Sequence, residues 1–198
     1  MLKSDKLLIS QTDSIYKQCK RFPNNTQIAI ALIRNGQVEY YGIQRLNDSL
    51  FTIQNSNKVF EIASITKVFT GTLLANFVLK KEVELDSTIN KHFEFQFNNS
   101  LQFTFKELAN HTSGLPRLPS NIRFQAIFNP ENPYKNYNNQ KLEEYLKDDI
   151  ALEYPKGSKS EYSNLGMGLL SYTLRKISRK SFEQLVKEQI FLEIFINV

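Results

Sequence analysis

The sequence predicts a mixed fold, α/β in content and α+β in arrangement, with a strand hairpin first and a mainly helical region after it. Three observations carry this expectation. Two short runs containing Ile, Val and Tyr flank Asn35-Gly36. The stretch Ile65–Leu79 is apolar on nearly every side. Further downstream, apolar residues recur at intervals of three and four, the spacing of one helix face. The sheet portion is placed at about residues 20–60 and the helical portion at about 61–198, together making one incomplete domain.

The elements follow in order. Residues 13–20 suit a short helix, with Thr12 or Asp13 as its cap. Thr26–Ile33 and Val38–Ile43 read as two strands, since Asn-Gly supplies the positive φ angles of a tight hairpin turn. Residues 44–58 are polar and read as irregular. Ile65–Leu79 reads as a central helix buried all round. Leu85-Asp86-Ser87 closes that unit and offers a cap for a short helix at 87–92. Phe103–Ala109 reads as another short helix, leading into Asn110-His111-Thr112-Ser113-Gly114-Leu115-Pro116.

Residues 117–140 are rich in Asn, Pro and Tyr and read as a long surface excursion. Within Lys141–Ile150, Leu142, Tyr145, Leu146 and Ile150 fall at helical spacing. Pro155-Lys156-Gly157 breaks the chain before Tyr162-Ser163-Asn164, and Leu165–Ile177 is again helical in pattern. Ser181 with Gln184 forms a capping box for a last helix running to about Phe191.

Composition narrows the function. The chain has 198 residues, of which 41% are hydrophobic and 23% charged, a globular balance that excludes wholesale disorder. A single cysteine, Cys19, excludes an internal disulfide and reads as a packing residue. With His92 and His111 the only histidines, no clustered metal site and no cofactor is expected. The net charge of +5 is scattered, with local knots only at Lys17–Arg21 and Arg175–Lys180, so nucleic acid is not an expected partner. The apolar run Leu7-Leu8-Ile9 is too short for a signal-peptide core; if this start is genuine, a cytoplasmic protein is expected. No segment approaches the roughly 20 apolar residues that span a bilayer.

Ser64 and Lys67 stand three apart at the front of the long apolar stretch, hence on one helix face. A serine with a lysine one turn on suits a nucleophile and its base. Ser-x-x-Lys alone is near chance, and Ser14-x-x-Lys17 is such a match on a solvated face. Tyr-x-Asn also recurs at Tyr134/Asn136 and Tyr137/Asn139. Context separates the informative pair: a lysine beside an otherwise apolar helix start is costly without a partner or a task.

With these neighbours the chain resembles the serine β-lactamase and penicillin-binding-protein superfamily. It is most similar to the branch carrying Tyr-x-Asn, which holds class C β-lactamases, D-alanyl-D-alanine carboxypeptidases and related esterases. The resemblance runs through the hairpin, Ser64-Ile65-Thr66-Lys67, Leu85-Asp86, the Leu108–Pro116 block, Pro155-Lys156-Gly157 and Tyr162-Ser163-Asn164, from about residue 13 to 190. It implies the β-lactamase/transpeptidase-like fold and a serine hydrolase acting through an acyl-enzyme on an amide or ester. The substrate would be a β-lactam, a D-Ala-D-Ala peptide or a simple ester. Ser64 would be the nucleophile, with its N–H giving half of the oxyanion hole. Lys67 and Tyr162 would share the proton, and Asn164 would hold Lys67 or the substrate amide. His111 tempts a triad with Ser64, but a turn histidine satisfied by backbone is the simpler account.

The same pattern asks for Lys-Ser/Thr-Gly or His-x-Gly on a later strand. Only 34 residues follow Asn164 and the last glycine is Gly168, so neither the element nor the later strands are encoded here. Phe191–Val198 is strongly apolar where the pattern usually turns. A truncated inactive remnant, or a penicillin-binding sensor that acylates without efficient hydrolysis, is therefore the alternative. Little turnover by these 198 residues is expected, with self-association through an uncovered sheet edge and helix face.

Overall fold

The computed structural model describes residues 7–122, 132 and 134–192, arranged as two compact units, Met1–Glu61 and Ile62–Val198. Among the described residues the first unit holds helix α1 (Ile9–Cys19) and three antiparallel strands in the order β1 (Gln27–Arg34), β2 (Gln37–Leu46) and β3 (Ser49–Ile53). β1 and β2 close on Asn35-Gly36, with Arg34 opposite Gln37 and both turn residues at positive φ. β3 lies where the sequence reads as irregular. Asn47 and Asp48, also both at positive φ, make a second two-residue turn that pairs Leu46 with Ser49.

α1 begins four residues earlier than Asp13. Gln11 reaches back to accept the Leu8 N–H at 3.0 Å, supplying the cap that the sequence assigns to Thr12 or Asp13. Thr12 instead lies inside the helix, its hydroxyl on the Ile9 carbonyl at 2.8 Å. Cys19 packs with Tyr41 and Ile43 in this unit's core, and burial pushes its thiol up from the ordinary value. A buried, protonated thiol is a packing group.

The second unit is helical: α2 (Thr66–Leu79), α3 (Phe105–Ala109), α4 (Asn139–Asp148), α5 (Asn164–Ser178) and α6 (Phe182–Val186). Its core joins Leu73, Leu74 and Phe77 of α2 to Leu169, Leu170 and Leu174 of α5, closed by Phe103, Phe105, Leu108 and Leu146. α2 is not buried all round. Thr70, Leu73, Leu74 and Phe77 face inward, while Ile65, Val68 and Leu79 on the far side stay 60–80% exposed. Burial here follows which face meets α5, a fact that uniform apolar composition does not encode.

Ile89–His92 is a single 3₁₀ turn behind Thr88, and Ser87 bonds Glu84 rather than capping it. Ser120–Ile122 forms another 3₁₀ turn with Ile122 buried, so the 117–140 excursion is anchored at its start; residues 123–131 and 133 lie outside the described residues. The last helix breaks at Val186 into a π turn, Lys187–Phe191, and the apolar end beyond Leu192 is likewise outside them.

α3 opens with a complete capping box. Thr104 Oγ1 accepts the Glu107 N–H at 3.1 Å, and Glu107 Oε2 accepts the Thr104 N–H at 2.8 Å. Thr104→Ala is expected to cost about 1 kcal/mol, read as a lowered urea midpoint at unchanged slope.

Candidate active site

The site is built on two helix starts and the loop that laces them. Ser64 sits in the 3₁₀ turn Ala63–Ile65 that leads into α2. Ala63 before it takes φ 45°, a conformation that disfavours side chains and is stored most often at functional turns. One turn later Lys67 points back, its Nζ donating to Ser64 Oγ at 3.2 Å. Tyr162, arriving from a segment 98 residues away in sequence, places its Oη 2.7 Å from Ser64 Oγ. Lys67 Nζ also lies 4.8 Å from the Tyr162 ring centre. The three groups therefore form one contact set around the serine oxygen.

Tyr162 is held by hydrogen bonds to the block at 110–117. His111 O accepts the Glu161 N–H and Thr112 O the Gly157 N–H, both at 2.8 Å, while Gly114 O accepts the Glu153 N–H at 2.9 Å. Arg117 O receives the N–H groups of Asn164 and Leu165. Ser163, between Tyr162 and Asn164, is 1% exposed. Its hydroxyl donates to Pro116 O at 2.7 Å and accepts the Gly166 N–H at 2.9 Å, capping α5.

The electrostatics favour a negative phenol. Lys67 beside its oxygen, then the hydrogen bond to Ser64, pull the Tyr162 hydroxyl below the ordinary phenol range; Arg117 adds to the pull and desolvation opposes it. Arg117 was not singled out by its sequence, although it directly follows the Gly114-Leu115-Pro116 turn. Its guanidinium stands 5.2 Å from the Tyr162 ring centre. Only the fold brings it there.

His111 stacks at 4.9 Å on the Tyr162 ring, and its Nδ1 accepts the Ser163 N–H at 3.2 Å. Burial, then the Lys67 charge, lower its pKa, which favours the neutral imidazole that this acceptor role needs. Asn164 is placed differently from the other three expected site residues. Its Nδ2 donates to Tyr134 Oη at 3.2 Å, and among the described residues no hydrogen bond joins it to Lys67. Also among the described residues, no group of three or more His, Cys, Asp or Glu side chains converges to hold a metal, and no helix is long and apolar enough to cross a membrane.

Comparison with known proteins adds the following. Residues 23–193 match the Beta-lactamase family model. Beta-lactamase-like protein 2 of Dictyostelium discoideum is 33% identical over 154 residues, 75% of this chain and 26% of that protein. Protein flp of Staphylococcus aureus (strain MW2) is 27% identical over 168 residues, 81% of this chain and 32% of that protein. The octameric penicillin-binding protein homologue from Pyrococcus abyssi shares the fold at a TM-score of 0.67 and 21% identity, over 93% of this chain and 42% of its own. A β-lactamase/D-alanine carboxypeptidase from Yersinia pestis does so at 0.62 and 23%, over 96% and 54%. This chain thus spans between a quarter and a third of the length of these two curated relatives.

Proposed function

Because the chain belongs to the Beta-lactamase family, we propose that it is a serine hydrolase whose acyl-enzyme forms on Ser64. One observation carries the reading: Ser64 Oγ stands 2.7 Å from Tyr162 Oη and 3.2 Å from Lys67 Nζ. Tyr162 as phenolate takes the Ser64 proton while Oγ bonds the substrate carbonyl carbon. The tetrahedral oxyanion is met by the Ser64 N–H. Its collapse breaks the carbonyl–leaving group bond, and the Tyr162 proton passes to the departing amine or alkoxide. Water then repeats the sequence on the ester. Lys67 keeps the phenolate charge compensated throughout, and Asn164, on exchanging Tyr134 for the substrate, holds its amide.

The substrate class is an amide or ester carbonyl: a β-lactam, a D-Ala-D-Ala peptide or a simple ester. The test is intact mass after incubation with benzylpenicillin and, separately, with nitrophenyl acetate. One acyl mass added per chain and mapped to Ser64, absent from Ser64→Ala, is the expected result. No adduct on the parent chain, or an equal adduct on Ser64→Ala, overturns the reading. An adduct that persists rather than decaying identifies a sensor.

A further inference from the structure

His111 touches three consecutive residues of the segment that delivers Tyr162, and the acyl-transfer chemistry leaves it without a task. Its carbonyl accepts the Glu161 N–H at 2.8 Å, its ring stacks on the Tyr162 ring at 4.9 Å, and its Nδ1 accepts the Ser163 N–H at 3.2 Å. A side-chain nitrogen thus takes the place of a backbone carbonyl at Ser163. An imidazole accepts only through a ring nitrogen without a proton, so Nδ1 plays this part with the proton on Nε2.

Protonation reverses the contact. Both nitrogens of an imidazolium are donors, so Nδ1–H would face the Ser163 N–H across 3.2 Å. Ser163 is 1% exposed, so water does not readily replace the lost acceptor. The segment relieves that cost by moving. Tyr162, whose Oη meets Ser64 Oγ at 2.7 Å, moves with it. A displacement of about 1 Å in a positioned group can cost about 10²-fold in rate.

The groups around the ring favour its neutral form. Burial, then the charge of Lys67 on α2, sets the His111 pKa below its ordinary value of 6.5. Arg117, from the same block as His111, adds a second cation 5.2 Å from the Tyr162 ring centre. The carboxylates of the two elements that His111 joins are engaged elsewhere: Glu107 of α3 pairs with Lys156 at 3.3 Å, and Glu161 with Lys159 at 3.1 Å. The acceptor form therefore holds at neutral pH and is lost only as pH falls through the lowered value.

We propose that His111 is a positioning residue acting through Tyr162, and that its imidazole is a proton-sensitive latch regulating the site. Neutral, it holds Tyr162 on Ser64; protonated, it lets Tyr162 go. The inference rests on Ser64 being the acylated residue for its kinetic test, though not for its spectroscopic one.

Acylation of Ser64 by nitrophenyl acetate, read as acyl mass, is followed from about pH 8 down to about pH 4. Loss of the Tyr162 phenolate alone lowers the rate about tenfold per pH unit. With the latch, the fall steepens below the His111 midpoint, and one unit beneath it the rate lies about tenfold under the extrapolated line. His111→Asn removes the titration but keeps an acceptor, since Oδ1 takes the place of Nδ1 and Asn readily adopts the left-handed φ of 58° found here. Its profile is expected not to steepen, whatever its absolute rate. In Ser64→Ala protein, the Ser163 amide proton and the His111 ring protons are followed by NMR over the same range. One shared midpoint is expected, with the amide proton moving upfield as its acceptor is lost. A parent profile that never steepens, steepening that survives His111→Asn, or a Ser163 amide that ignores the His111 midpoint overturns the latch. A shared midpoint without any Ser64 adduct keeps the latch and overturns the acyl-enzyme instead.

Discussion

Lys67→Gln is expected to slow acylation of Ser64 by about 10³-fold, within the range usual for losing a positioned electrostatic partner of the reacting groups. The rate is read from the growth of the acyl mass with nitrophenyl acetate. Tyr162→Phe is expected to cost about as much, and the double variant little more than either alone, because groups acting on one proton fail as a unit. The pH profile distinguishes the roles. The Tyr162 phenol lies below its ordinary value of 10.0, chiefly through Lys67, so the active phenolate accumulates as pH rises along a limb below that value. Lys67→Gln removes the largest cause and moves the limb upward in pH; Tyr162→Phe abolishes it. A Lys67→Gln rate within threefold of the parent, or a limb that survives Tyr162→Phe, sinks the assignment.

Gly114→Ala is the second large effect, and it acts through the backbone. Gly114 takes φ 74°, and a Cβ there would stand 2.1 Å from the Tyr154 carbonyl oxygen. That atom cannot swing aside, since it belongs to the segment Glu153–Glu161 that hydrogen-bonds the 110–117 block and delivers Tyr162. The left-handed conformation costs about 1–2 kcal/mol for an L-residue. Forcing the two backbones apart costs about 1–3 kcal/mol more. The sum, about 2–5 kcal/mol, is a large share of a typical domain's stability and should appear as a lower urea midpoint. Gly157→Ala is the control: its φ is also 74°, but its Cβ meets open space, so only about 1 kcal/mol is expected. Equal losses in the two variants would show that the Tyr154 contact contributes nothing. Acylation of the folded fraction should fall in Gly114→Ala alone.

The hairpin and the later helices were readable because their signals are local. Asn35-Gly36 fixes its own turn, and Leu142, Tyr145 and Leu146 repeat at helical spacing whatever surrounds them. β3 was not, since Ser49-Leu50-Phe51-Thr52-Ile53 alternates too briefly to stand out, though Asn47-Asp48 was a usable turn signal. The exposed side of α2 was invisible because Val68 and Leu73 are equally apolar and only contact with α5 tells them apart. At the site, Ser64, Lys67 and Tyr162 were named by spacing and resemblance. Arg117 was missed because its place against the Tyr162 ring depends on the fold between residues 117 and 162. The Asn164–Tyr134 contact has the same origin, joining two segments 30 residues apart.

Ser163 carries a consequence for how such a site can change. The residue between Tyr162 and Asn164 is turned inward, tied to Pro116 O and to the Gly166 N–H, so its two neighbours are left to face outward. The interval Tyr-x-Asn is thus a reading frame for side-chain direction. Inserting or deleting one residue would send a site group into the interior and the capping hydroxyl into the cleft. Substitutions at 162 and 164 can retune the chemistry one at a time, whereas a change of length here exchanges scaffold and site in a single step.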